Sequence, residues 1–134
     1  MNTTVDLSTP GVAVVALEGE LDASNFRALI ELGQRLYADG ARRLVLDLGA
    51  LTYMASSGIV ALHSLALVFG GHEPPDPEAG WQAIHEVGTD VAQGGQVDHL
   101  RLVSPVGAVA RTLERTGLTG LLPVFDSREA ALAG

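Results

Sequence analysis

Ser56, Ser57 and Gly58 stand side by side in the stretch LTYMASSGIVAL, residues 51–62, which contains no acidic or basic residue. Adjacent hydroxyls in an apolar setting suit three kinds of chemistry: capping a helix, attacking a substrate, or accepting a phosphate. Capping is the commonest, because a serine oxygen at a helix start accepts a hydrogen bond from a free backbone N–H and adds about 1 kcal/mol of stability. Nucleophilic attack fails on spacing. A nucleophile elbow places glycine two residues before and two after its serine, whereas Ser56 is framed by Met54 and Gly58, and Ser57 by Ala55 and Ile59. His63 lies about two helical turns along the same segment, out of reach as a general base.

Phosphate acceptance uses the same geometry as capping. The unpaired N–H groups and the positive dipole end of a helix start tolerate an anion. A phosphate on Ser56 would add about −1.5 to −2 charge beside a largely apolar helix, enough to end docking on that surface. A cap and a switch are therefore compatible here, with Ser57 as the alternative acceptor.

Other chemistry-bearing residues lead less far. Asp47 follows the apolar run Leu44–Leu46, where receiver domains carry a phosphate-accepting aspartate, but that chemistry also needs a lysine and the chain has none. The missing lysine also excludes a Schiff base and the phosphate-gripping residue of a Walker loop. His72, His85 and His99, with Glu73, Glu86 and Asp98, match no compact ligand spacing, so no metal site is expected. Nothing in the sequence asks for a cofactor. Trp81 is expected to pin its loop onto the body.

The 134 residues suit one domain, with 47% apolar residues and few aromatics, so the core must come from Leu, Val, Ala and Ile. A formal charge of −8 argues against a nucleic-acid partner. Cysteine is absent, which excludes disulfides, thiolate metal sites and a thiol nucleophile. The N-terminal residues do not read as a secretory signal, and the apolar stretch Ile59–Phe69 is too short to insert in a membrane, so a soluble cytoplasmic protein is expected.

Residues 3–8 and 12–19 read as strands joined by a turn at Pro10-Gly11. Residues 25–38 repeat apolar side chains at helical spacing, with Asp22 or Ser24 as the expected cap and Gly40 as the stop. Residues 42–51 read as a buried strand, and the segment from Ser56 to Gly70-Gly71 as a helix apolar almost all round, which either sits deep or lends surface to a partner. Residues 72–98, with Pro74, Pro75 and Pro77, break the rhythm as an inserted excursion containing a short helix around Trp81. The pattern resumes with a strand at 99–105, a helix capped by Ser104 and ended at Gly117, a strand at 121–126 and a last helix capped by Asp126 or Ser127. This alternation predicts an α/β fold with mainly parallel pairing and right-handed crossovers. The loops bearing Glu20 and Asp22, Met54 to Gly58, and Ser104 are expected on one rim.

Three segments together resemble STAS domains of the anti-sigma factor antagonist type: VVALEGELDASNFRAL, RRLVLDLGALTYMASSGIVAL and LRLVSPVGAVARTLERTGLTGLLPVFDSREAAL. The resemblance spans nearly the whole chain apart from 72–98 and implies one STAS-like domain over 1–134. It implies a small mixed, mainly parallel sheet of about five strands with βα repeats and about four helices. It also implies a protein-binding role without enzymatic activity. In that family the unmodified domain captures an anti-sigma factor that is itself a serine kinase, which frees the sigma factor for transcription. The kinase uses ATP to phosphorylate the first hydroxyl of an Asp-Ser-Ser/Thr-Gly motif, ending the interaction, and a phosphatase restores it. Carried onto this chain, Ser56 is the phosphoacceptor, and Glu20, Asp22, Met54, Ala55, Ser57, Gly58 and Ile59 contact the partner. The docking surface is expected over 54–69 together with the Asp22 loop. Ala55 departs from the family's acidic residue, which leaves open a non-switching STAS subunit of a transporter or stress-signalling assembly. A small-ligand or nucleotide-binding domain is the third alternative.

Overall fold

Valine and leucine recur through residues 12–21 and 43–54, and in extended backbone successive side chains point to opposite faces. That pattern builds the two long strands at the centre of the sheet. The computed structural model describes residues 1–71 and 99–133. In it β1 (Asn2–Asp6), β2 (Val12–Leu21), β3 (Arg43–Met54), β4 (Leu100–Val103) and β5 (Val124–Phe125) form one five-stranded sheet in chain order. β1 runs antiparallel to β2, and the remaining pairings are parallel. The helices among the described residues are α1 (Phe26–Ala38), α2 (Ser56–Phe69), α3 (Gly107–Thr116), α4 (Leu118–Leu121) and α5 (Arg128–Leu132). The expected excursion, with Trp81, His72 and His85, lies outside the described residues.

Strands that advance steadily across a sheet through right-handed crossovers receive all their connecting helices on one face. The packing agrees. Leu17, Leu44, Leu46, Leu100 and Leu102 meet Leu29 and Ile30 of α1, Leu62 and Leu65 of α2, Leu113 of α3 and Leu118 of α4 in one large core. The alternate residues Val12, Val14, Val45 and Val103 point the other way and join only a small cluster with Ala131 of α5. Among the described residues, the second face of the sheet is therefore thinly covered.

Pairing between β3 and β4 stops at Asp47 and Val103, while β2 and β3 continue to Leu21 and Met54. The extension runs past two irregularities, between Ala16 and Glu18 and between Gly19 and Glu20. Both strands consequently outrun their expected ends at residues 19 and 51. Beyond the end of β4 the β2–β3 pair projects as a ribbon by on the order of 15–20 Å, flanked by β1 only as far as Glu18.

α2 corrects the expectation of an apolar docking helix. Every residue from Gly58 to Ala66 is buried, as are Val68 and Phe69. A side chain at Gly33 would overlap Leu65, so this glycine lets α1 settle closely onto α2. The near-absence of a polar stripe on α2 thus reflects burial, not a contact area.

Several termini differ from expectation. Asn25, not Asp22 or Ser24, precedes α1, and it makes no side-chain cap bond because its amide group serves the preceding loop. Ser104 does not cap α3, which begins after Val106; it holds φ 52° and donates its hydroxyl to Asp126 O at 2.7 Å. Gly117, left-handed at φ 80°, closes α3 as expected. Ser127 caps α5 by accepting from Ala130 N at 3.1 Å. The strand expected over 121–126 shortens to Val124–Phe125 because α4 takes up its first residue and Pro123 follows.

Candidate functional site

The end of the ribbon fixes the start of α2. Ala55 N donates to Leu21 O at 2.9 Å, tying the turn to β2, and Gly58 N donates to Ala55 O at 2.9 Å. Ala55 is the residue preceding the helix and has no side-chain oxygen to cap it. The serines therefore do not cap; they are the first two helical residues. Their backbone N–H groups have no acceptor among the described residues. Ser56 is exposed and Ser57 half-buried. An exposed hydroxyl thus sits beside open N–H donors at the positive end of a fourteen-residue helix.

The remaining residues expected at this rim divide by burial. Met54 is 2% exposed and Ile59 1%, and both belong to the main core. They occupy the positions of a hydrophobic staple, one residue before the cap and four after it, which fixes the angle at which chain enters helix. Gly58 is buried between them and faces Leu21 and Met54. Direct side-chain contact with a partner, expected of Met54 and Ile59, does not fit this burial. They hold the rim from beneath.

The neighbouring turn is braced by its own polar side chains. Asn25 Nδ2 donates to Glu20 O at 2.8 Å, and Asp22 N donates to Asn25 Oδ1 at 2.9 Å. Ser24 N donates to Asp22 Oδ1 at 2.9 Å, and its hydroxyl donates to the same oxygen. The Ser24 hydroxyl first, and its N–H second, hold the Asp22 carboxyl below the ordinary aspartate value. A depressed folded-state pKa stabilises the folded loop above the ordinary aspartate range, and that contribution is lost as pH falls through the depressed value. Following the Asp22 carboxyl carbon by NMR across acidic pH is expected to give a midpoint below the ordinary one, moving upward in Ser24→Ala.

Other candidates fall elsewhere. Ser104, expected on this rim, lies beside Gly49, where a side chain at Gly49 would stand 3.7 Å from Ser104 Cβ. The projecting ribbon carries Ser56 on the order of 15–20 Å further along. Asp47 accepts from Arg128 Nε at 2.8 Å and from Gly49 N at 3.0 Å, a strut between β3 and α5. His99 donates through Nε2 to Ala66 O at 2.6 Å, fastening β4 to α2. Among the described residues no group of three His, Cys, Asp or Glu side chains is placed to hold a metal, and no helix is long and apolar enough to cross a membrane.

One exposed residue escaped the sequence reading. Tyr53 pairs in register with Glu20 and is 48% exposed. The register irregularity beside it disguised which way it points. Its position one residue before Met54 was the available signal.

Fold and site together define a mixed α/β domain that presents a hydroxyl at the start of a buried helix, next to a braced acidic turn. The chain belongs to the STAS domain family: the family described as "Mlab, STAS domain" matches residues 5–73, just over half its length. Among solved structures, it is similar to an anti-sigma factor antagonist from Mycobacterium paratuberculosis, at 24% identity and TM-score 0.65, covering 98% of this chain and 91% of that one. It is also similar to the anti-sigma factor antagonist SpoIIAA in its unphosphorylated form, at 17% identity and TM-score 0.64, with coverage of 98% and 93%. The phosphorylated Bacillus cell fate determinant SpoIIAA is similar at 16% identity and TM-score 0.57, with coverage of 98% and 97%. At these identities the likeness shows a shared fold. No curated protein matches the chain by sequence.

Proposed function

We propose that this chain is a cytoplasmic regulatory binding module, not an enzyme, that captures an anti-sigma factor serine kinase and is released when Ser56 is phosphorylated. The observation that carries this reading is the exposed Ser56 hydroxyl beside the open N–H groups of Ser56 and Ser57. Those groups accommodate a phosphate locally, while its charge adds to that of Glu20 and Asp22 on a rim that must meet a partner. The names of the structural neighbours, which include both states of SpoIIAA, support the same reading. Glu20, Asp22, Ala55, Ser56 and Ser57 make the contacts, and Met54, Gly58 and Ile59 position them. A phosphatase resets the switch.

Incubation with ATP and any serine kinase encoded beside this chain is expected to add one phosphate by mass, absent in Ser56→Ala. Retention of the phosphate in Ser56→Ala and its loss in Ser57→Ala would move the acceptor to the second hydroxyl. A chain that takes no phosphate under these conditions refutes the switch.

Ala55 favours a second reading, because it stands where the family motif carries an acid. The chain is then a non-switching STAS subunit of a transporter or stress-signalling assembly. Co-purification in a membrane complex or large particle supports this alternative, and co-purification with a free kinase supports the first.

A further inference from the structure

Among the described residues, the sheet face opposite the main helices is covered by α5 only as far as Asp47, where Arg128 closes the contact at 2.8 Å. Beyond that point the same face runs on through Asn2 of β1, Glu18 and Glu20 of β2, and Ala50 and Tyr53 of β3, all exposed. In register, Glu18 faces both Asn2 and Ala50, and Glu20 faces Tyr53. Neighbouring strands lie about 4.8 Å apart, so the Tyr53 ring and the Glu18 and Glu20 carboxylates form one small surface. Glu18 and Glu20 make no ion pair among the described residues.

We propose that this open face binds an arginine-bearing segment of a partner protein, with the guanidinium flat on the Tyr53 ring and its N–H donors shared with Glu18 and Glu20. A guanidinium stacks on an aromatic face and presents a planar fork of donors to carboxylates, which a compact ammonium does not. The charge on the face selects among occupants. A second copy of this chain, meeting it through the same face, would set the Glu18 and Glu20 pair against itself. Nucleic acid and anionic lipid headgroups are repelled by the same carboxylates and by the net charge of −8. A basic protein segment is what remains, and its approach is favoured at long range. The inference goes beyond the proposed function, with which it shares Glu20 as a contact: it requires neither phosphate on Ser56 nor a kinase as partner.

The test is an NMR titration of the isotope-labelled chain with a short arginine-glycine-serine repeat peptide, compared with a lysine-glycine-serine peptide of equal length. Shifts are expected to centre on Glu18 to Glu20 and Ala50 to Tyr53, with the arginine peptide binding more tightly. Tyr53→Ser should weaken binding about two- to fivefold. Tyr53→Leu keeps a large apolar side chain on the strand but removes the ring, and should weaken it likewise. Glu18→Gln with Glu20→Gln should remove the preference for this face. Shifts scattered over acidic residues elsewhere, such as Glu31, Asp39 and Glu129, overturn the proposal. So does a folded Tyr53→Leu protein that titrates like the parent. Neither result bears on phosphorylation of Ser56.

Discussion

Ile59→Ala is expected to cost about 2–5 kcal/mol of folding stability, the range for emptying a large aliphatic side chain from a packed core. Ile59 is 1% exposed and shares the main core with Met54 and Leu62. Its neighbours are strands and helices pinned by the rest of the fold, so the space can close only in part. Thermal unfolding should show a melting temperature lower by on the order of 10 °C. The measurement separates two roles that the sequence could not. A residue that contacts a partner weakens binding when truncated but leaves the free protein's stability nearly unchanged. A core residue does the reverse: once the variant is held well below its melting temperature, its folded fraction should bind with close to parental affinity. A melting temperature within about 2 °C of the parent would return Ile59 to the docking surface.

The sequence was legible wherever one local rule decided the outcome. The apolar period of α1 and the valines of β2 set their elements, and Gly117 and Ser127 ended or began theirs as their chemistry demands. Legibility failed where distant partners compete with a local preference. Asn25 displaced Asp22 and Ser24 at the start of α1, although its own side-chain amide is spent on Glu20 and Asp22, across the turn. Ser104 had the right neighbours for a cap but is drawn away by the Asp126 carbonyl. The register irregularities of β2 and β3 changed which residues face solvent, so that Tyr53 emerged and Met54 went in. Residue type singles out Ser56, which is exposed, but the local rule that a serine at a helix start caps it does not apply, because Ala55 occupies the cap position. The apolar character of α2 is plain in the sequence, but whether protein or partner covers it depends on packing between distant segments.

Gly58→Ala tests how tightly the rim is built. In an ordinary helix this change stabilises by about 0.5–1 kcal/mol, since alanine loses less backbone freedom on folding. Here the new methyl would lie 2.5 Å from Met54 Cγ and 3.1 Å from Leu21 Cδ2. Methionine can yield by rotating, but Met54 is 2% exposed and Leu21 fully buried, so each must push further into the core. Overpacking of this kind costs about 1–3 kcal/mol, which outweighs the helix gain and reverses the usual sign. Chemical denaturation should therefore show Gly58→Ala less stable than the parent. Met54→Ala, destabilising alone, should partly rescue it, because the second change vacates the space the first one needs. The same collision lifts the start of α2 from the ribbon, where Ala55 N meets Leu21 O at 2.9 Å, and so displaces Ser56 from the turn bearing Glu20 and Asp22. A stable Gly58→Ala protein with an unchanged melting curve would mean that the seat beneath Ser56 is loose, and that close packing does not set the geometry of the rim.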